Sequence, residues 1–149
     1  MKQKDKFRYA EKCLYEYKRN LAGLEILRED LRVVKASDVH AQNYQLVFGF
    51  GGQPSNPEEA KLMKIESIEH KIQTLERTTI PITKMINDLN SPENLKGSNN
   101  EILFNILKLM YFGGNTPGII IEKLNIAKRT FTRKRTELVF LTIDYLVLD

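Results

Sequence analysis

The sequence predicts an all-α protein in two parts. A long helical hairpin or coiled coil is expected over residues 1–90, followed by a smaller helical domain over residues 91–149. Three observations carry this. Two stretches repeat apolar residues at alternating spacings of three and four, the heptad pattern. A glycine-rich break over residues 36–56 separates them. A third region, Thr116 to Leu138, reads as two short helices joined by a tight turn, the second helix strongly basic.

The first helix is expected from Lys4 to Val34, with Phe7, Ala10, Leu14, Tyr17, Leu21, Leu24 and Leu31 on one seam. Arg28 interrupts that seam beside Leu27, and Gly23 weakens the helix by about 1 kcal/mol relative to alanine. The seam suits equally a plain core helix and a self-associating coiled coil. Gly49, Gly51, Gly52 and Pro54 then rule out a continuing helix through residues 36–56. Within that loop, Gln45 to Phe50 is compatible with a short extended segment. GFGG there lacks the following Lys-Ser/Thr of a phosphate-binding loop, so it gives no nucleotide site.

The second long helix should start at Asn56, with asparagine as N-cap, Pro57 in the first turn and Glu59 placed as in a capping box. Its stripe is Leu62, Ile65, Ile68, Ile72, Leu75, Ile82, Ile86 and Leu89. Pro81, after the β-branched run Thr78-Thr79-Ile80, predicts a kink or break. Antiparallel pairing with the first helix is the simplest arrangement. Ser91-Pro92-Glu93 opens a turn and residues 96–100 form a polar connector. Ser98 and Glu101 make a second capping box, starting a helix to about Phe112 with Ile102, Leu103, Ile106, Leu107 and Met110 inside. Gly113-Gly114-Asn115 ends it.

In the third region Thr116 is placed to cap, and Pro117 fits the first helical turn, where its missing N–H costs nothing. Ile120, Ile121 and Leu124 form a buried stripe. Asn125 sits where the chain reverses and tolerates a left-handed backbone, and Ile126 fills the corner. The next helix begins near Ala127, with Phe131 and Leu138 inward. At 100° per residue, Arg129, Arg133 and Thr136 then lie within about 40° of the opposite direction, with Thr132 on the flank. Lys128 stands at the helix start, and Lys134 and Arg135 border the packed face. Residues 128–135 carry five positive charges and no negative one. Ala127 is a poor N-cap, at about 1 kcal/mol, so either Asn125 supplies the cap or the helix begins loosely. The tail, Leu138 to Leu148, is apolar nearly all round except Thr142 and Asp144. It is expected to be helical and covered by the N-terminal helices or a second subunit, with a strand as the alternative.

Charge narrows the class of partner. The net charge is +4, but residues 1–35 carry ten basic and six acidic side chains, 36–99 six and eight, and the last fifty seven and five. Two basic regions flank a slightly acidic middle, as expected where only certain surfaces meet phosphate. Cys13 is the sole cysteine, so no intramolecular disulfide or cysteine zinc site exists; it reads as a packing residue. His40 and His70 have no partners at metal-ligand spacing. Carboxylate pairs such as Glu29/Asp30 and Glu58/Glu59 fall on solvent faces or helix starts. No catalytic set, cofactor site or membrane-spanning run is expected, and the chain is read as cytoplasmic.

A capped helix, a tight turn and an acid-free basic helix outline a helix-turn-helix, which places its second helix in the major groove of double-stranded DNA. Arg129, Thr132 and Arg133 are then the candidates for base edges. Lys128, Thr130, Lys134 and Arg135 are candidates for phosphates, and Thr136 lies on the same face. GGQPSNP at residues 51–57 and LNIAKRTFTRKR at 124–135, in this order of helices, resemble phage late transcription regulators of the RinA and ArpU type. Those regulators are themselves similar to region 4 of sigma factors in their C-terminal helix-turn-helix. The resemblance implies activation of late genes (packaging, structural and lysis operons) in phages or prophages of low-GC Gram-positive bacteria. It also implies promoter DNA as ligand. A homo-oligomer is expected from the heptads, and host RNA polymerase is a further candidate partner. Two alternatives remain at this level. One is a small terminase subunit binding packaging-site DNA as a ring. The other is a helical adaptor or anti-repressor with a vestigial helix-turn-helix, marked by a flat salt response or no DNA binding.

Overall fold

The computed structural model describes residues 1–37, 56–91 and 99–148, and these are all-helical apart from short connections. The helices are α1 (Gln3–Ala36), α2 (Pro57–Leu89), α3 (Asn99–Ile106), α4 (Pro117–Leu124) and α5 (Lys128–Leu146). A π-helical segment, Leu107–Phe112, prolongs α3. The expectations for the loop at residues 38–55, including His40 and the Gln45–Phe50 segment, and for Pro92 to Ser98 lie outside the described residues. Among the described residues no helix is long and apolar enough to cross a membrane.

The chain divides into two compact units, one of Met1–Arg19 with Arg77–Asp149, the other of Asn20–Glu76. The division expected at residue 90 differs from this. The basic C-terminal region shares its unit with the first five turns of α1 and the end of α2.

The Asn20–Glu76 unit is the hairpin. Leu24 and Val34 of α1 pack with Ile68 and Ile72 of α2, flanked by Leu27, Leu31, Ile65 and Leu75. The heptad seam is thus occupied by the chain's own second helix. Ion pairs Lys35–Glu69 at 3.8 Å and Arg28–Glu76 at 3.9 Å run in opposite sequence order, which makes the pair antiparallel. Both lie largely at the surface and contribute at most about 1 kcal/mol. Arg28 interrupts the seam because it turns out to Glu76, while Leu27 takes the contact. At the start of α2 the Asn56 side-chain oxygen accepts the Glu59 backbone N–H at 2.7 Å, the expected cap. Leu62, expected inside, is exposed; Ala60 is buried instead, and Lys61 donates to the Lys35 and Ser37 carbonyls that close α1.

The other unit packs the first half of α1 and the last turns of α2 against α3, α4 and α5. Ala10, Cys13, Leu14 and Tyr17 of α1 are buried, as are Ile82, Met85 and Leu89 of α2. Pro81 does not break α2, which runs on to Leu89. Burial of Thr79, Ile82 and Met85 around the proline holds the helix across the missing bond, since packing outweighs local propensity. The Thr83 hydroxyl donates to the Thr79 carbonyl at 2.8 Å, so its single proton is committed. The Tyr17 hydroxyl is therefore the donor in its 2.7 Å bond to Thr83.

The apolar tail is helix to Leu146, as preferred, and its inner face is covered within the chain, while Phe140 and Val147 stay exposed. Leu138, Val139 and Ile143 are buried, each worth roughly 1.5–3 kcal/mol by transfer from water. Thr142, which reads as polar in sequence, is also buried; its hydroxyl donates to the Leu138 carbonyl at 2.8 Å and touches the Met85 sulfur at 3.4 Å. Tyr145 donates to the Asp88 carboxylate at the end of α2. Phe140 meets Phe7 of α1 edge-on, with ring centroids 5.9 Å apart.

Candidate nucleic-acid interface

The geometry of α4, its turn and α5 follows from a few backbone angles. Asn125 adopts the left-handed conformation, φ 53° and ψ 51°. Its N–H bonds the Glu122 carbonyl and the Ile126 N–H bonds the Ile121 carbonyl, both at 3.3 Å. This is a Schellman stop, which ends α4 with its last carbonyls satisfied and redirects the chain. Only Ile126 and Ala127 then precede α5. Thr116 and Ala127 both hold the extended backbone of an N-cap, yet neither makes a side-chain cap bond. The suggestion that Asn125 caps α5 is corrected, because its backbone terminates α4 and the N-cap position of α5 is Ala127 itself.

Upstream, the π-helical segment closes on Asn115. Its N–H and its side-chain amide both donate to the Leu109 carbonyl, at 3.0 and 2.9 Å. Gly114 there has φ 68°, so residues 113–115 do end the preceding helix. Ile120 of α4 and Phe131 of α5 are buried in the corner, while Ile121, Leu124 and Ile126 are half-buried.

Along α5 the eight residues singled out from sequence fall into two groups. Lys128, Arg129, Thr132 and Arg133 are exposed; Thr130, Lys134, Arg135 and Thr136 are half-buried. The Thr132 hydroxyl donates back to the Lys128 carbonyl at 3.1 Å and Thr136 to the Thr132 carbonyl at 2.9 Å. Lys128, Arg129 and Arg133 make no ion pair among the described residues.

Lys134 and Arg135 differ. Lys134 pairs with Glu137 at 3.0 Å and donates to the Asn99 side chain at the start of α3. Arg135 donates through Nε and a terminal nitrogen to one oxygen of Glu11 on α1, at 3.1 and 2.7 Å. The buried Tyr111 hydroxyl donates to the same oxygen at 2.6 Å. Burial pushes the Tyr111 hydroxyl far above its ordinary pKa, and the Glu11 bond adds to this. Burial by itself would lower Arg135, but its bonds to Glu11 and Tyr111 raise it, so the guanidinium stays charged. Both cations were expected to hold phosphates. Within the fold each is paired with an acid, supplied by α5 itself for Lys134 and by α1 for Arg135.

No protein-family model, curated protein or solved structure matches the chain.

Glu11, Asn99 and Tyr111 are the polar residues that the sequence reading missed. Glu11 pairs with Arg135 and Asn99 with Lys134, 124 and 35 positions away, and Tyr111 with Glu11, 100 positions away, so no local spacing could reveal them. What remains free on α5 is a compact set of one lysine and two arginines with two threonines along one face. Two guanidinium groups one turn apart suit bidentate recognition of guanine edges or phosphates, with hydroxyls and methyls between them.

Proposed function

We propose that this chain is a sequence-specific DNA-binding regulator that inserts the first turns of α5 into the major groove. In this reading α4 and α5 form a helix-turn-helix, with Asn125 as its turn residue. Arg129, Thr132 and Arg133 reach base edges, and Lys128 and the flank at Thr130 and Thr136 meet the backbone. Lys134 and Arg135 hold α5 in place. The supporting observation is the division of charge on α5: the cations facing away from the core have no acidic partner, and those facing inward are neutralised. That leaves an acid-free outward face able to meet a polyanion, as a DNA-contacting helix requires.

The resemblance to RinA and ArpU type regulators extends the proposal to activation of late genes from a phage or prophage promoter. Host RNA polymerase and further copies of the chain are proposed as partners. Since α2 fills the Leu24–Leu31 part of the heptad seam, the proposed oligomer would use another surface.

The test is Arg129→Ala combined with Arg133→Ala, measured on the bound promoter duplex at fixed salt. That site is first located by footprinting on genomic DNA. A bidentate arginine contact is worth about 2 kcal/mol, so each change should weaken specific binding roughly thirtyfold. Unchanged affinity would remove α5 as the recognition helix.

A further inference from the structure

We propose that the start of α1 is a second DNA-contacting element, in which Lys4 and Arg8 clamp the phosphate backbone at the edge of the groove that α5 enters, a role that rests on the DNA-binding reading of α5. The sequence marks residues 1–35 as a basic region suited to phosphate without singling out which of its residues would meet it. The fold brings part of it to α5. Lys4, Phe7, Arg8 and Glu11 of α1 line one open depression together with Thr136 and Phe140 of α5. Thr136 and Phe140 also line a second depression, which continues along α5 to Lys128, Arg129 and Arg133. The two depressions therefore share a wall, and the edge-on contact of Phe7 with Phe140 fixes the start of α1 at that wall.

The charges along this surface are unequal in their commitments. Its acids are occupied: Glu11 by Arg135 and Tyr111, Glu137 by Lys134. Asp5, nearby on α1, is exposed and sits in the first helical turn, where the helix dipole favours it. Lys4 and Arg8 are exposed and make no ion pair among the described residues. They are four positions apart, so they stand on one face about 6 Å apart along the axis. From Arg129 to Thr136 is seven residues of helix, about 10 Å, and the major groove is about 12 Å wide. With Arg129 over the bases, the neighbourhood of Thr136 lies near the groove's rim. The depression that Lys4 and Arg8 share with Thr136 is where the flanking phosphates would run. Contacts of this kind fix orientation and add affinity without reading sequence.

The test uses the full chain and a labelled random-sequence duplex, with anisotropy followed over salt from about 50 to 200 mM. Lys4→Gln with Arg8→Gln should lower affinity on the order of tenfold and reduce the salt slope by about 1.8, at about 0.9 per lost phosphate contact. The loss should be equal on the promoter duplex, since no base contact is removed. Far-UV circular dichroism should be unchanged, both residues being exposed. Lys71→Gln with Arg77→Gln removes the same charge from exposed positions elsewhere and should leave the slope alone. A Lys4/Arg8 variant with the wild-type slope would overturn the proposal, as would an equal loss in the control pair. If Arg129→Ala/Arg133→Ala abolishes promoter binding while the Lys4/Arg8 variant binds normally, the α5 reading stands and this one falls. Absence of duplex binding by the wild-type chain would remove both.

Discussion

Removing the Glu11 carboxylate should destabilise the unit that carries α5 more than any other single surface-proximal change. In Glu11→Ala, the Tyr111 hydroxyl, on a residue only 4% exposed, loses its acceptor. A buried donor left unmatched costs about 1–3 kcal/mol. Arg135 loses two charge-assisted bonds, worth about 1.5–3 kcal/mol when shielded. Its side chain is 35% exposed against 16% for Glu11, so water recovers part of that loss. The sum is then about 2–3 kcal/mol, below the 3–5 kcal/mol typical of breaking a fully buried pair. With a urea slope near 2 kcal/mol/M, the midpoint should fall by about 1–1.5 M.

Tyrosine fluorescence reads the transition, since the chain has no tryptophan. Two companions apportion the effect. Tyr111→Phe removes the donor and leaves Glu11 with Arg135, at about 1 kcal/mol. The double cycle of Glu11→Ala and Arg135→Ala should show a coupling of about 1–2 kcal/mol. A Glu11→Ala cost under about 0.5 kcal/mol, or a coupling near zero, would refute the reasoning that Arg135 is held within the fold. Glu11→Gln adds a functional readout. The amide oxygen still accepts from Arg135 and keeps α1 in place, while one cation beside the proposed DNA surface loses its counter-charge, so random-duplex affinity should rise and its salt slope steepen by up to about 0.9.

Four further outcomes are expected. Gly23→Ala should stabilise by about 0.5–1 kcal/mol in thermal unfolding, because its Cβ would meet only Leu75 Cδ1 at an ordinary 3.5 Å. Gly113→Ala should instead destabilise by about 1–3 kcal/mol, since its Cβ would fall 2.9 Å from the Leu109 carbonyl and 3.0 Å from that of Lys108. The Tyr145 hydroxyl is pushed up to about 12 by its bond to Asp88, with burial adding. Its contribution is therefore whole below the ordinary tyrosine pKa of about 10 and is lost as pH climbs through 12, and Tyr145→Phe should flatten part of that alkaline fall in a pH series of urea midpoints. Asn56→Ala should cost about 1 kcal/mol and Thr116→Ala little, while Ala127→Ser should gain about 1 kcal/mol, because only Asn56 makes its cap bond and Ala127 already holds cap geometry.

Much of the fold was legible because it rests on local rules. Lys4 to Val34 was expected and Gln3–Ala36 is found; Asn56 caps where its spacing to Glu59 said it would. Asn125 turns left-handed at the predicted reversal. The misreadings have one physical origin, tertiary burial overriding local preference. Of the kink or break expected at Pro81, the break does not occur among its buried neighbours; Thr142 is buried by bonding its own helix's backbone, and Leu62 is exposed because Ala60 takes the inner position. The π-helical segment at Leu107–Phe112 has no local signature in composition or spacing, and the structure offers no simple account of it beyond its closure on Asn115.

The candidate site was legible as a face but not as a set of charges. Helical periodicity places Arg129 and Arg133 opposite Phe131 whatever surrounds them. It says nothing of whether a cation on the border has met an acid from elsewhere. Arg135 and Arg133 are two positions apart with the same chemistry; Glu11, across the unit on α1, makes one a strut and leaves the other free. The same strut then has a consequence for the surface. By holding Glu11 against α5, Arg135 also fixes Arg8 and Lys4, about one and two turns back along α1, beside Thr136 and Phe140. A cation that seemed lost to the interface is thereby what aligns two others with it. On the proposed DNA-binding reading, loss of Arg135 should therefore weaken binding without that residue touching DNA, through the placement of α1 and not through the salt slope of its own charge.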